Sequence, residues 1–324
     1  MKLTKRTHLP LSGRTILPMT ATPVRRARSA GASPVGPRRW PCARPSLLSL
    51  AIAGVLMGPA AQAATITVTS SADDDGTGCT LREAIASVND GGVGATGCNS
   101  SGTFGTDDTI LFDSAVTGTI TLGGTDLEIT ESVYIDGPGA DQLTVDANGQ
   151  SRVFAVSTDN LEIKIEGLTI SNGSSSENGG GIQFDSDGGT LTLLDSTISG
   201  NSASGTNVGG GGIYCKDGTL SITNSTVSGN TAYSGGGIYA AGCETTLTNV
   251  QVVNNSIGGE DEYSKGGGLY FSTGSAELIN TTVSDNSTYN EGGALDCQIS
   301  FCNANQQYGI GQLGGGFWWR NLCF

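Results

Sequence analysis

The chain has 324 residues, 51 of them glycine, with 30 Asp and Glu against 16 Lys and Arg and a single histidine. A formal charge of −14 repels nucleic acid and anionic lipid and excludes them as partners. One histidine, His8, falls in the first segment, so designs built on an imidazole base are excluded for the rest.

Residues 1–63 hold ten of the cations and no Asp or Glu. The apolar run Leu47–Met57 and then Ala61-Gln62-Ala63 complete the pattern of a cleaved secretory signal with a long basic region. The run is too short for a bilayer, which needs about 20 residues. A mature chain from Ala64 would keep six cations against 30 carboxylates, a charge of −24, and no membrane-spanning segment. It would keep seven cysteines, and export permits disulfides.

Residues 64–115 read as an N-terminal cap. TITVTS (65–70) alternates as a strand. In CTLREAIASVN (79–89), Thr80 and Glu83 form a capping box, and Leu81, Ala84, Ile85 and Val88 share a helical face. Cys79 and Cys98 flank that helix and could staple it. Asp73, Asp74 and Asp75 could offer oxygens to Ca²⁺, although the spacing is not that of a calcium loop and a solvated turn is the simpler reading.

Residues 116–296 repeat. The aliphatics after the glycines, Ile182, Ile213, Ile238, Leu269 and Leu295, recur at steps of 25 to 31 residues. Leu191 with Leu193 and Leu220 with Ile222 alternate in a second segment, and STISGN or STVSGN marks a third. Three short strands per turn, with one buried face each, describe an all-β parallel β-helix. Asn201, Asn230, Asn255 and Asn286 share one column; Asp195, Asn224, Asn249 and Asn280 share another. Stacked amides suit hydrogen-bonded ladders at the bends. A lone coil cannot bury its own apolar face, so neighbours must share the core. Length variation falls at one corner, before the glycines, with GGEDEYSK (258–265) the longest and most acidic loop. Residues 297–324 break the pattern and read as an irregular or truncated tail.

DGTGCTLREAIASVN (75–89) resembles the Cys-Ser-Leu-Arg-Glu-Ala (CSLREA) signature that opens many exported bacterial β-helix proteins, with Thr80 in place of the usual Ser. IEGLTISNG (165–173) and the later coils resemble that family and are similar to the repeats of polymorphic outer-membrane proteins and pectate-lyase-like solenoids. The resemblance spans about 65–296 and implies a right-handed parallel β-helix, secreted or surface-exposed.

Two functions fit. A non-catalytic, adhesin-like or matrix-binding rod, monomeric and meeting an extracellular glycan or a host or matrix surface, fits the variable loops and is preferred. Tyr214, Tyr239 and Tyr270 form an outward column that could stack on sugar rings, or a ladder that merely stiffens the sheet. The alternative is a polysaccharide lyase or glycoside hydrolase acting on an acidic polysaccharide. Paired carboxylates would come from Asp185, Asp187 and Asp217, and cations from Arg82, Arg152, Arg320, Lys164, Lys216 and Lys265. Lys164 lies between Glu162 and Glu166 and reads as part of a solvated ion-pair row. No catalytic constellation emerges, so the catalytic residues stay unknown. Cys215 reads as an inward apolar residue, and Cys243 follows one coil later, within reach of a bond.

Overall fold

The computed structural model describes residues 62–305, except 74–75, 77, 95–96, 259–264, 289–294 and 299–301. Residues 1–61, nearly all of the stretch read as a secretory signal, and most of the tail, with Arg320, lie outside the described residues. The described part is a stack of parallel rungs, a β-solenoid with one helix.

A complete rung has four strands. Ile213–Lys216, Thr219–Thr223, Thr226–Ser228 and Thr231–Ala232 form one. Each pairs in parallel with its counterpart in the rungs on either side. The first two strands belong to a 15-stranded sheet, the third to a seven-stranded sheet and the last to a four-stranded sheet. The last of the four is one strand more than the repeat phrase predicts. Short polar pairs such as Ser202–Ala203 carry no alternation long enough to announce a strand. In two rungs the first two strands run together as Ile238–Thr248 and Leu269–Ile279. The Asp-Gly turn at 217–218 is absent there, and a register shift at Ala240–Glu244 replaces it.

The aliphatic column is aligned as expected. Ile182 pairs with Ile213, Ile213 with Ile238, Ile238 with Leu269 and Leu269 with Leu295. The first four are fully buried. The glycines before them meet the next rung's backbone. A Cβ on Gly211 would run into the carbonyl oxygens of Thr231 and Gly236, and one on Gly212 would lie 2.7 Å from the Gly237 oxygen. Three glycines therefore let adjacent rungs close at strand spacing, about 4.8 Å.

Both polar columns are ladders. Asn201, Asn230 and Asn255 each donate Nδ2 to the Oδ1 of the next asparagine at 2.9 Å, ending at Asn286. Each also donates Nδ2 to a carbonyl of the preceding rung, at Ile170, Ile198 and Val227. Their backbone N–H groups donate to the same Oδ1 atoms. Asn201, Asn230 and Asn255 are buried, so their amides satisfy backbone groups that water cannot reach. In the other column Asn224, Asn249 and Asn280 hold φ of 51°, 56° and 48°, a conformation asparagine tolerates.

Parallel pairing extends below residue 116, since Thr65–Val68 pairs with Asp108–Phe112 and that strand with Val133–Asp136. Helix α1 (Leu81–Asn89) closes this end. Its Thr80–Glu83 capping box is formed, and Leu81, Ala84, Ile85 and Val88 are buried in the core. The Cys79–Cys98 disulfide is present, as is a buried Cys215–Cys243 bond linking successive rungs.

Candidate functional site

Side chains from consecutive rungs converge on the outward face of the broad sheet. Register places Thr109 beside Tyr134, Tyr134 beside Lys164 and Lys164 beside Thr192. They line a shallow groove of about 450 Å³, with Asp107, Ser132, Glu162 and Thr190 at its walls. Lys164 Nζ sits 3.8 Å from the centre of the Tyr134 ring and 2.8 Å from Glu166 Oε2. The Tyr134 hydroxyl donates to the same Glu166 oxygen at 2.7 Å. The Lys164 hydrogen bond, then that of Tyr134, holds the Glu166 carboxyl below its usual range. Burial, reinforced by the Glu166 bond, pushes the Tyr134 phenol well above its ordinary value.

The cluster is therefore a fixed ammonium, an ionised carboxylate and a neutral phenol, flanked by hydroxyls and further carboxylates. It suits hydrogen bonding to a ligand rich in hydroxyl groups. The sequence reading of Lys164 as an ion-pair residue holds for Glu166. What that reading missed is Tyr134, 30 residues away in the chain. VYID and EIKIE both alternate, but only the register joins their outward positions.

The other candidates are dispersed. Lys216 Nζ pairs with Asp185 at 3.1 Å, and the Asp185 bond raises its pKa. Asp185 is thus held in an ion pair. The Asp187 N–H donates to Asp159 Oδ1, while Asp217 sits at a turn with φ of 55°. Arg152 bridges rungs, donating to Glu177 at 2.8 Å and to the Asn178 carbonyl at 3.0 Å. Arg82 donates to both Asp73 oxygens and to the carbonyls of Thr125 and Asp126. Asp73 also accepts from the Gly123 N–H at 2.7 Å. Asp74 and Asp75, the other residues proposed for Ca²⁺, lie outside the described residues.

Tyr214, Tyr239 and Tyr270 are in register, with ring centres 5.4 and 4.8 Å apart. Tyr214 and Tyr270 are only 8% exposed. A Cβ on Gly209 would strike the Tyr239 ring, so the glycine corner folds over the column. This is the geometry of a stiffening ladder, and it leaves no open ring face on Tyr214 or Tyr270 for a sugar. Lys265 Nζ lies 5.6 Å from the Tyr270 ring centre.

Corner loops run from the last short strand of one rung to the next rung's glycines. The connections 204–212 and 233–237 differ in length, and 258–268 is longer still. The acidic part of that third loop, 259–264, is outside the described residues.

A family model described as the Chlamydia polymorphic membrane protein repeat matches residues 195–216. That segment starts at the positive-φ Asp195, takes in Thr197–Ser199 and Ser202–Ala203, and crosses the corner to Ile213–Lys216. No curated protein and no solved structure matches the chain. Among the described residues, no helix is long and apolar enough to cross a membrane.

Proposed function

We propose that this chain is an exported, surface-displayed binding scaffold, adhesin-like in action, whose contact surface joins the Tyr134–Lys164 groove to the corner loops. The observation that carries the reading is the contrast between scaffold and corner. Strands keep register rung upon rung, while loops of different length all leave the stack at one edge. Variable loops on a rigid frame are where recognition is concentrated. The similarity of 195–216 to a polymorphic membrane protein repeat supports display at a surface. Two disulfides, both buried in the core, support an oxidising destination outside the cytoplasm. An extracellular glycan is the partner that the groove's hydroxyls, carboxylates and ammonium suit best.

A glycan-array screen run beside a polyuronide depolymerisation assay tests this. Retention without turnover, weakened by Tyr134→Ala or Lys164→Ala, is expected. Turnover without retention would replace the scaffold with an enzyme acting on an acidic polysaccharide.

A further inference from the structure

The seven-stranded sheet presents a different surface from the groove. Over five consecutive rungs its first outward column is Thr119, Thr144, Thr169, Thr197 and Thr226, each paired in register with the next. The second column, two residues on, is Thr121, Asp146, Ser171, Ser199 and Ser228. Asp146 is the only charge and no aromatic interrupts, whereas the neighbouring broad sheet carries Glu162, Lys164, Glu166, Glu244 and Glu277 outward. In a chain this acidic, a face almost without charge needs a reason.

The hydroxyls are also unspent. Thr169 donates to the Ala140 carbonyl at 2.6 Å. Those of Thr144, Thr197, Thr226, Ser199 and Ser228 make no hydrogen bond among the described residues. Ser171 is 8% exposed and its hydroxyl likewise has no such partner, although it lies in the middle of the array. Hydrogen bonds to a mobile chain contribute little net, because each replaces a bond to water and also costs the chain conformational freedom. A rigid two-dimensional ligand avoids that loss, since neither side has freedom to give up.

We propose that this face binds ice. Threonine hydroxyls and methyls repeat at about 4.8 Å across the strands, and about 6.7 Å along them lies a second row of hydroxyls, serine in its last three rungs and interrupted at Asp146. Both repeats are close to the oxygen repeats on a prism face of hexagonal ice. Fixed hydroxyls take lattice positions, and the methyls between them hold the intervening water in order. Missing charge favours the same ligand, because a charged side chain reorganises water around itself. Missing aromatic rings weigh against a crystalline polysaccharide, whose sugar faces stack on them. Gln251 and Val253 end the run.

The test is ice-affinity partition and recrystallisation inhibition with the full chain, against albumin. The protein should concentrate in slowly grown ice several-fold over albumin. Thr197→Lys with Thr226→Lys should abolish this. Thr219→Lys with Thr246→Lys, on the neighbouring sheet, should not, with both variants melting like the parent. Partition equal to albumin's, or equal loss in both variants, overturns the proposal. So does retention on a neutral crystalline polysaccharide that the Thr197 and Thr226 changes remove while ice partition stays at albumin's level. Groove variants at Tyr134 and Lys164 should leave ice partition unchanged, which separates this face from the glycan reading.

Discussion

Asn230 serves three neighbours at once. Its Oδ1 accepts from both the backbone N–H and the amide of Asn201, and its Nδ2 reaches the Ile198 carbonyl at 3.0 Å. Alanine there would leave the buried Asn201 N–H without its acceptor, at about 1–3 kcal/mol, and would remove one bond each from the Asn201 amide, which keeps the Ile170 carbonyl, and from the Ile198 carbonyl, at about 1 kcal/mol apiece. Urea denaturation of Asn230→Ala should therefore show a loss of about 3 kcal/mol or more. Asn249→Gly, in the exposed positive-φ column, should stay within about 0.5 kcal/mol, since glycine adopts that φ freely. Equal losses would mean the inner ladder is not what satisfies the bend. The tyrosine column makes a second residue-scale prediction. Burial, then the adjacent Tyr239, pushes the phenols of Tyr214 and Tyr270 up to about 12 from 10.0. An unfolded chain ionises first, so the stability these groups contribute is whole below pH 10 and is lost as pH rises through about 12. Denaturation across that window should show the fall, and Tyr214→Phe with Tyr270→Phe should reduce it, leaving the part that the raised Tyr134 phenol contributes.

Helix α1 does more than cover the core, for its polar side chains also occupy the edge of the first strand in its line, Leu127–Ile129. Arg82 donates to the Thr125 and Asp126 carbonyls, at 2.8 and 2.9 Å. Asn89 donates to the Glu128 carbonyl at 2.8 Å and accepts from the Thr130 N–H at 2.9 Å, as a neighbouring strand would. An open edge is a template for another chain. Arg82→Ala with Asn89→Ala should give concentration-dependent association in sedimentation, beyond that of the parent; unchanged sedimentation would mean the helix blocks the edge by bulk alone. The helix itself was legible from Thr80, Glu83 and its apolar face, because those patterns are local. Its docking was not, because Arg82 and Asn89 meet carbonyls about 40 residues away that carry no side-chain signature. The groove was hidden for a related reason. Rungs before residue 165 lack the glycine and Ser-Gly-Asn phrases, so nothing in the sequence sets Tyr134 opposite Lys164. Where the phrases recur, the columns at Ile182, Ile213 and Ile238 and at the asparagines could be aligned by eye, and they hold to the residue.

At the scale of the whole stack, each rung touches chiefly the two beside it, so stability is a sum of rung and interface terms. A rung should then be removable if the cut respects the register. Excising Ile182 through Gly212 joins Gly181 to Ile213 and sets Phe154 where Ile182 stood, opposite Ile213. Ile163 and Ile165 would meet Leu220 and Ile222 in place of Leu191 and Leu193, and Asn230 would take over the Ile170 carbonyl and Gly173 N–H from Asn201. The Cys215–Cys243 bond survives, while the Lys216–Asp185 pair, at the surface, is lost. This shortened chain should fold cooperatively, keep its far-ultraviolet dichroism per residue and melt a few degrees lower. Removing residues 190–203 instead deletes three strands but leaves Ile182–Asp185 running into a corner loop, so no column can close and the product should aggregate. If both deletions fold equally well, or both fail, the rungs are not interchangeable units. The shared core would then depend on particular side chains rather than on the repeat.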